Sequence, residues 1–125
     1  MKTLTKAEEE VMQVIWKISE GTMGEIYSKI PEPKPAYNTV ATIVRILEKK
    51  GFVAHKAYGR VFVYYPIINQ KEYSRNFLMD FMHKYFDKSL KNLISAFSEN
   101  DLTLKELKET EEYIKKLIQK KSQND

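Results

Sequence analysis

Apolar residues recur at helical spacing, then at strand spacing, then at helical spacing again. Val11, Met12, Ile15, Trp16 and Ile18 mark the inward face of a helix from about Lys6 to Ser19, ended by Gly21. Ile26, Tyr27 and Ile30 mark a second helix from Met23 to Ile30, stopped by Pro31. Pro31-Glu32-Pro33-Lys34-Pro35 reads as a stiff connector. Val40, Ile43, Val44 and Leu47, at i, i+3, i+4 and i+7, predict a third helix that starts near Tyr37 and ends before Gly51. Then the period drops to two. Val53, His55 and Ala57 alternate with Ala54, Lys56 and Tyr58, Gly59-Arg60 makes a turn, and Val61-Phe62-Val63-Tyr64-Tyr65 is β-branched and aromatic. This is a two-stranded hairpin closed by Pro66.

From Asn69 the pattern is helical once more. Tyr73, Phe77, Phe81 and Tyr85 form an i, i+4 aromatic stripe flanked by Leu78, Met82 and Phe86. Leu90, Leu93, Ile94 and Phe97 continue an apolar face on a further helix, and Leu107, Ile114, Leu117 and Ile118 mark a last one from about Leu104 to Lys121. Helix starts are signalled independently. Thr5-x-x-Glu8, Thr22-x-x-Glu25 and Thr103-x-x-Glu106 are capping boxes, and Asn69-x-x-Glu72 is their Asn-capped analogue.

Three helices followed by a hairpin is the layout of a winged helix-turn-helix, with the hairpin as wing and helix three as recognition helix. The expected fold is mostly α with a small β hairpin: a winged helix-turn-helix domain over residues 1–68, then a helical dimerisation domain over 69–125. The aromatic-rich arm exceeds what one small domain can cover, and large uncovered apolar faces imply association, most simply two-fold; the alternative is that the arm folds back on the winged domain as extra core. Tyr73, Phe77, Leu78, Phe81, Met82, Tyr85 and Phe86 are the expected dimer interface.

Charge changes the picture only when resolved along the chain. The 125 residues carry a formal net charge of +4. Residues 1–33 hold −2, residues 34–66 hold +5 and residues 67–125 hold +1. The positive charge thus sits on helix three and the wing, as expected for a polyanionic partner. Opposite the buried face of helix three lie Asn38, Thr42, Arg45 and Lys49, flanked by Thr39 and Ala41. Short polar groups near the start of a recognition helix reach base edges, and longer cations further along reach phosphates. Asn38 can pair with an adenine edge, and Thr39 or Thr42 can offer a hydroxyl or touch a thymine methyl. Arg45 could read guanine or clamp a phosphate. Candidate backbone contacts are Thr5, Lys6, Lys34, Tyr37, Lys49, Lys50, Lys56, Arg60 and Tyr64.

Other chemistry is sparse. With no cysteine, the chain has no disulfide framework, thiolate metal site or Cys nucleophile. His83, with Asp80 and Asp87 on one helix face, reads as local polar pairing rather than a metal site, and His55 as a wing surface residue. No phosphate-cradling Gly-rich loop and no catalytic spacing is evident, so no enzyme activity, cofactor or small-molecule ligand is expected. No run approaches a membrane span and no signal core is visible, which leads to the expectation of a soluble, cytoplasmic protein.

These residues carry a family likeness. The sequence resembles the penicillinase (β-lactamase) repressors, the BlaI/MecI/CopY group of bacterial winged-helix repressors. The likeness rests on Leu4-Thr5-Lys6-Ala7-Glu8 with Val11-Met12 and Ile15-Trp16, and on Tyr37-Asn38-Thr39-Val40-Ala41-Thr42-Ile43-Val44. It extends through Leu47-Glu48-Lys49-Lys50-Gly51-Phe52-Val53 to Gly59-Arg60, Tyr64 and Pro66. The resemblance implies a homodimer that represses transcription from a pseudo-palindromic operator of double-stranded DNA. It puts groove contacts on Asn38, Thr39 and Thr42 and backbone contacts on Thr5, Lys6 and Arg60. In the β-lactam branch it implies release by cleavage in the arm, triggered by a membrane sensor-protease. Two positions depart from the family pattern. Ile46 stands where the family often has Arg, with Arg45 one residue earlier, and the cleaved Asn-Phe bond corresponds to Ala96-Phe97. The copper-sensing branch uses a Cys-rich C-terminal motif that this chain lacks, and Cu(I) favours soft sulfur ligands. The competing reading is a winged-helix protein-interaction scaffold without specific DNA binding.

Overall fold

The computed structural model describes residues 3–124; residues 1, 2 and 125, the outer ends of the two expected domains, lie outside the described part. The order is α1 (Lys6–Ile18), α2 (Met23–Ser28), α3 (Tyr37–Lys49), β1 (Val53–Tyr58), β2 (Val61–Pro66), α4 (Gln70–Phe86), α5 (Leu90–Ser95) and α6 (Leu104–Asn124). Mostly helical with one hairpin, this is the expected class. The chain divides into two compact units after Leu78.

The first unit is the winged helix. Both expected capping boxes are present: Thr5 accepts from the Glu8 N–H while Glu8 accepts from the Thr5 N–H, and Thr22 and Glu25 do the same. α2 stops two residues short of the expected end, because a residue that precedes proline, here Ile30 before Pro31, is disfavoured in helical backbone. The end of α3 explains the Lys-Gly-Phe run. Gly51 takes φ +84°, its N–H donates to Glu48 O at 3.1 Å, and the Phe52 N–H donates to Leu47 O at 3.0 Å. That is a Schellman motif, which closes the helix and drops Phe52 back onto Leu47 in the core. Met12, Ile15, Ile26, Val40, Val44, Leu47, Phe52 and Val53 are fully buried and join α1, α2, α3 and the hairpin in one core.

β1 and β2 pair antiparallel with His55 opposite Tyr64. Gly59 takes φ +65° at the first central position of the two-residue turn, as a type II′ hairpin requires. A third, one-residue strand joins the other edge of β2. The Gly21 N–H donates to Tyr64 O at 3.0 Å, and the Tyr64 N–H to Gly21 O at 2.8 Å. The hairpin is thereby tied to the α1–α2 connection.

The winged unit continues past the expected boundary into α4. The Trp16 indole N–H donates to Ile68 O at 2.8 Å, and the Gln70 amide to Gln13 Oε1 at 3.2 Å. Tyr73 is 7% exposed, its ring 5.7 Å from both Trp16 and Phe52, and its hydroxyl accepts from the Leu4 N–H at 3.4 Å. Tyr73 therefore leaves the set of expected dimer residues. It lies one turn into α4, where α1 and Phe52 cover it within the same chain.

In the second unit, Phe81 packs on Tyr85 and Phe86 at 5.1 and 5.6 Å. Ser89 caps α5 through the Asn92 N–H, and Thr103 with Glu106 forms the expected box at α6. Neither α5 nor α6 has a buried residue. Met82 is buried, whereas Tyr85, Leu90, Ile94, Leu104, Leu107, Leu117 and Ile118 are exposed.

Candidate nucleic-acid interface

α3 turns Val40, Ala41, Val44 and Leu47 inward, which leaves Asn38, Thr39, Thr42, Arg45 and Lys49 exposed on its other side. Unlike α1 and α2, the helix begins at an uncapped Ala36 and has no acid in its first turn. Its single acid, Glu48, is half-buried and turned to His55, with Oε2 at 2.5 Å from the imidazole Nδ1. The charge on the outward face of α3 is therefore positive, set among uncharged polar residues and one exposed apolar residue, Ile46. The His55 ring stacks on Phe62 at 4.2 Å and tilts against Tyr64 at 5.5 Å. His55 is thus not the wing surface residue expected from strand alternation. It is half-buried and ties the end of the recognition helix to the wing.

Thr42 donates its hydroxyl hydrogen to Asn38 O at 2.9 Å, one turn back. Arg60 is exposed at the wing turn. Lys56 is exposed, with its ammonium 5.5 Å from the Tyr65 ring. Lys34 is half-buried, 5.0 Å from the Tyr27 ring, and donates to Ser28 O at 3.4 Å. Thr5 and Lys6 are exposed at the start of α1, and Tyr37 is 45% exposed at the start of α3.

Two expected backbone contacts are seated differently from expectation. The Lys50 ammonium is 2.6 Å from Glu8 Oε1 and also donates to Thr3 O at 3.4 Å. Glu8 is only 6% exposed, and the Lys50 hydrogen bond holds its carboxyl below the usual carboxylate range against the opposing effect of burial. Lys50 is thus the counter-ion of a buried acid, not a free cation. The two residues lie 42 positions apart, so no local pattern signals the pair. Tyr64 is the second. Its ring is 5% exposed in the middle of the sheet, not on the wing surface, and burial pushes its phenol up from 10.0.

A cleft of about 360 Å³ opens between α3, the start of α2 and the wing. Its polar lining is Thr22, Tyr37, Asn38, Arg45, Arg60 and Tyr64. Most of these residues stand out singly in the sequence, Thr22 only as a helix cap.

A three-helix unit with a basic hairpin and an outward polar recognition helix is a winged-helix nucleic-acid-binding protein. Comparison with known proteins narrows the class. The penicillinase repressor family matches residues 4–116, and the chain belongs to that family. It is 33% identical over 99 residues to the penicillinase repressor of Bacillus licheniformis, covering 78% of this chain and 77% of that one. It is 27% identical over 115 residues to the methicillin resistance regulatory protein MecI of Staphylococcus aureus, covering 90% and 94%. Among solved structures, it is similar to the DNA-binding domain of the repressor BlaI, with a TM-score of 0.51 and 38% identity over 58% of this chain and 94% of that one. It is also similar to monomeric BlaI of Bacillus licheniformis in complex with the blaP half-operator, with a TM-score of 0.50 and 37% identity over 58% and 89%.

Proposed function

We propose that this chain represses transcription, in the manner of the β-lactam-resistance repressors, as a homodimer on a pseudo-palindromic operator. The observation that carries the reading is the one-signed face of α3, whose only acid is turned aside to His55. Asn38, Thr39 and Thr42 reach base edges in the major groove, where short polar groups discriminate bases. Lys49, Lys56 and Arg60, with Thr5 and Lys6 at the start of α1, meet the sugar–phosphate strands.

The second copy covers the arm. Leu104, Leu107, Leu117 and Ile118 recur at helical spacing on α6 and are all at least 44% exposed in the single chain. Phe77, Leu78 and Tyr85 are likewise exposed on α4, and Phe81 and Phe86 half-exposed. Apolar area of this extent is stabilised by association. The family likeness supports relief by a membrane sensor-protease. Ala96 ends α5 and Phe97 is 46% exposed in the connection to α6, where backbone outside regular structure is open to cleavage. The reading includes no catalytic step, and the cytoplasm is its natural compartment.

The test is a footprint and gel shift of the full chain on the DNA upstream of its own coding region, with sedimentation at micromolar protein. A dimer protecting two symmetric half-sites is expected, with affinity falling steeply as salt rises. No shift at low salt would overturn the reading and favour the protein-interaction scaffold.

A further inference from the structure

The cleft between α3, α2 and the wing combines features that neither the family match nor the α3 stripe explains. Two arginines from separate elements line it, Arg45 from α3 and Arg60 from the wing turn. At its floor is Tyr64, a residue only 5% exposed. Tyr64 lines the cleft, and among the described residues its hydroxyl makes no hydrogen bond while its oxygen keeps some solvent access. Arg45, Glu48 and Tyr37 lie near enough to Tyr64 to act on its phenol electrostatically, and burial keeps that phenol protonated. It is therefore a donor. Glu48, the one acid near it, is engaged with His55.

The geometry of a helix in a groove indicates what arrives there. An α-helix with its side chains is about 10–12 Å across, and the major groove is about 12 Å wide. A recognition helix therefore fills the groove, and a cleft flanking it lies over the strand at the groove's edge. We propose that this cleft is the seat of one DNA phosphodiester per half-site, held by Arg45 and Arg60 from the sides and by the Tyr64 hydroxyl from the floor. The inference rests on the DNA-binding reading and deepens it, because it assigns Arg45, open between base reading and a phosphate contact, to a phosphate clamp. The volume of about 360 Å³ also admits a sugar attached to the phosphate.

The test uses the full chain, its operator, and duplexes in which single phosphates are replaced by uncharged methylphosphonates. Tyr64→Phe keeps the ring and deletes only the donor. It is expected to weaken operator binding about tenfold, as for the loss of one hydrogen bond to a charged group, without lowering Tm. Arg45→Ala is expected to weaken specific and scrambled duplexes by the same factor and to reduce the salt slope by about one. One methylphosphonate position per half-site should reproduce the loss and make both substitutions silent. Wild-type affinity in Tyr64→Phe, a changed base preference in Arg45→Ala, or a flat methylphosphonate scan would each overturn the seat. If the scan is flat while inorganic phosphate competes with DNA at constant ionic strength, the cleft takes free phosphate and the strand assignment fails. A wild-type chain that binds no operator would refute the repressor reading itself, a distinguishable result.

Discussion

Tyr73 offers a sharp test, because its place in the winged core displaces it from the dimer interface. Tyr73→Ala removes a ring that is 7% exposed and lies 5.7 Å from both Trp16 and Phe52. Truncating a buried aromatic costs about 3–5 kcal/mol, and two ring contacts put this site at about 4–5. At roughly 0.05–0.15 kcal/mol per residue, a unit ending at Leu78 has about 4–12 kcal/mol in all. A loss of that size lowers Tm by about 16–40 °C at about 4–8 °C per kcal/mol, or unfolds the unit outright. Tyr73→Phe gives up only the long hydrogen bond from Leu4, worth about 0.5–1 kcal/mol. Phe77→Ala, at a residue 53% exposed, should leave the protomer within about 0.5 kcal/mol and weaken the dimer instead. Trp16, the chain's single tryptophan, reports the transition directly. Unfolding must be followed at several protein concentrations, since a dimer's Tm moves with protomer concentration. If Tyr73→Ala unfolds like wild type and raises the dimer dissociation constant, its placement in the core is wrong.

Asn38→Ala should cost about 1–3 kcal/mol of operator binding and relax preference at one base per half-site, read by competition against single-base operator variants. Lys50→Ala should lower folding stability by about 1–3 kcal/mol in urea denaturation, because it strips a buried carboxylate of its partner, and leave the salt slope of DNA binding unchanged. The Glu8 carboxyl, lowered chiefly by the Lys50 hydrogen bond, contributes its stability in full above the ordinary 4.5 and loses it as pH falls through the lower folded value. An acid titration of stability should therefore be shallower in Lys50→Ala than in wild type. Gly59→Ala should cost about 1–2 kcal/mol through its φ of +65°, with open space around the added methyl showing that backbone conformation is the sole cause.

The elements were legible because their signals are local. Capping boxes at Thr5, Thr22 and Thr103, the Gly51 stop and the change of period at Val53 each lie within a few residues of what they specify. The Gly21–Tyr64 bridge, the Glu8–Lys50 pair and the packing of Tyr73 on Trp16 are long-range, and no periodicity encodes them. The same limit applied at the site. The exposed face of α3 follows from counting against its buried face, whereas the cleft exists only because the wing and the start of α2 flank that helix. His55 departs from expectation for a related reason: alternation gives the face of a strand but not the neighbour, Glu48, that closes over it.

Thr42 spends its hydroxyl hydrogen on Asn38 O, so towards a base it keeps an acceptor oxygen and its γ-methyl, and the methyl is the part that can meet an apolar group. Within the repressor reading, part of the operator is then recognised by fit to a single carbon. An operator in which uracil replaces one thymine keeps its base pairing and loses that carbon. It should bind about fourfold more weakly, from about 0.8 kcal/mol for one buried methyl-sized group. Thr42→Val should keep the discrimination and Thr42→Ser should abolish it, measured by competition between paired thymine and uracil duplexes; equal binding of the two duplexes by the wild-type chain would rule the contact out.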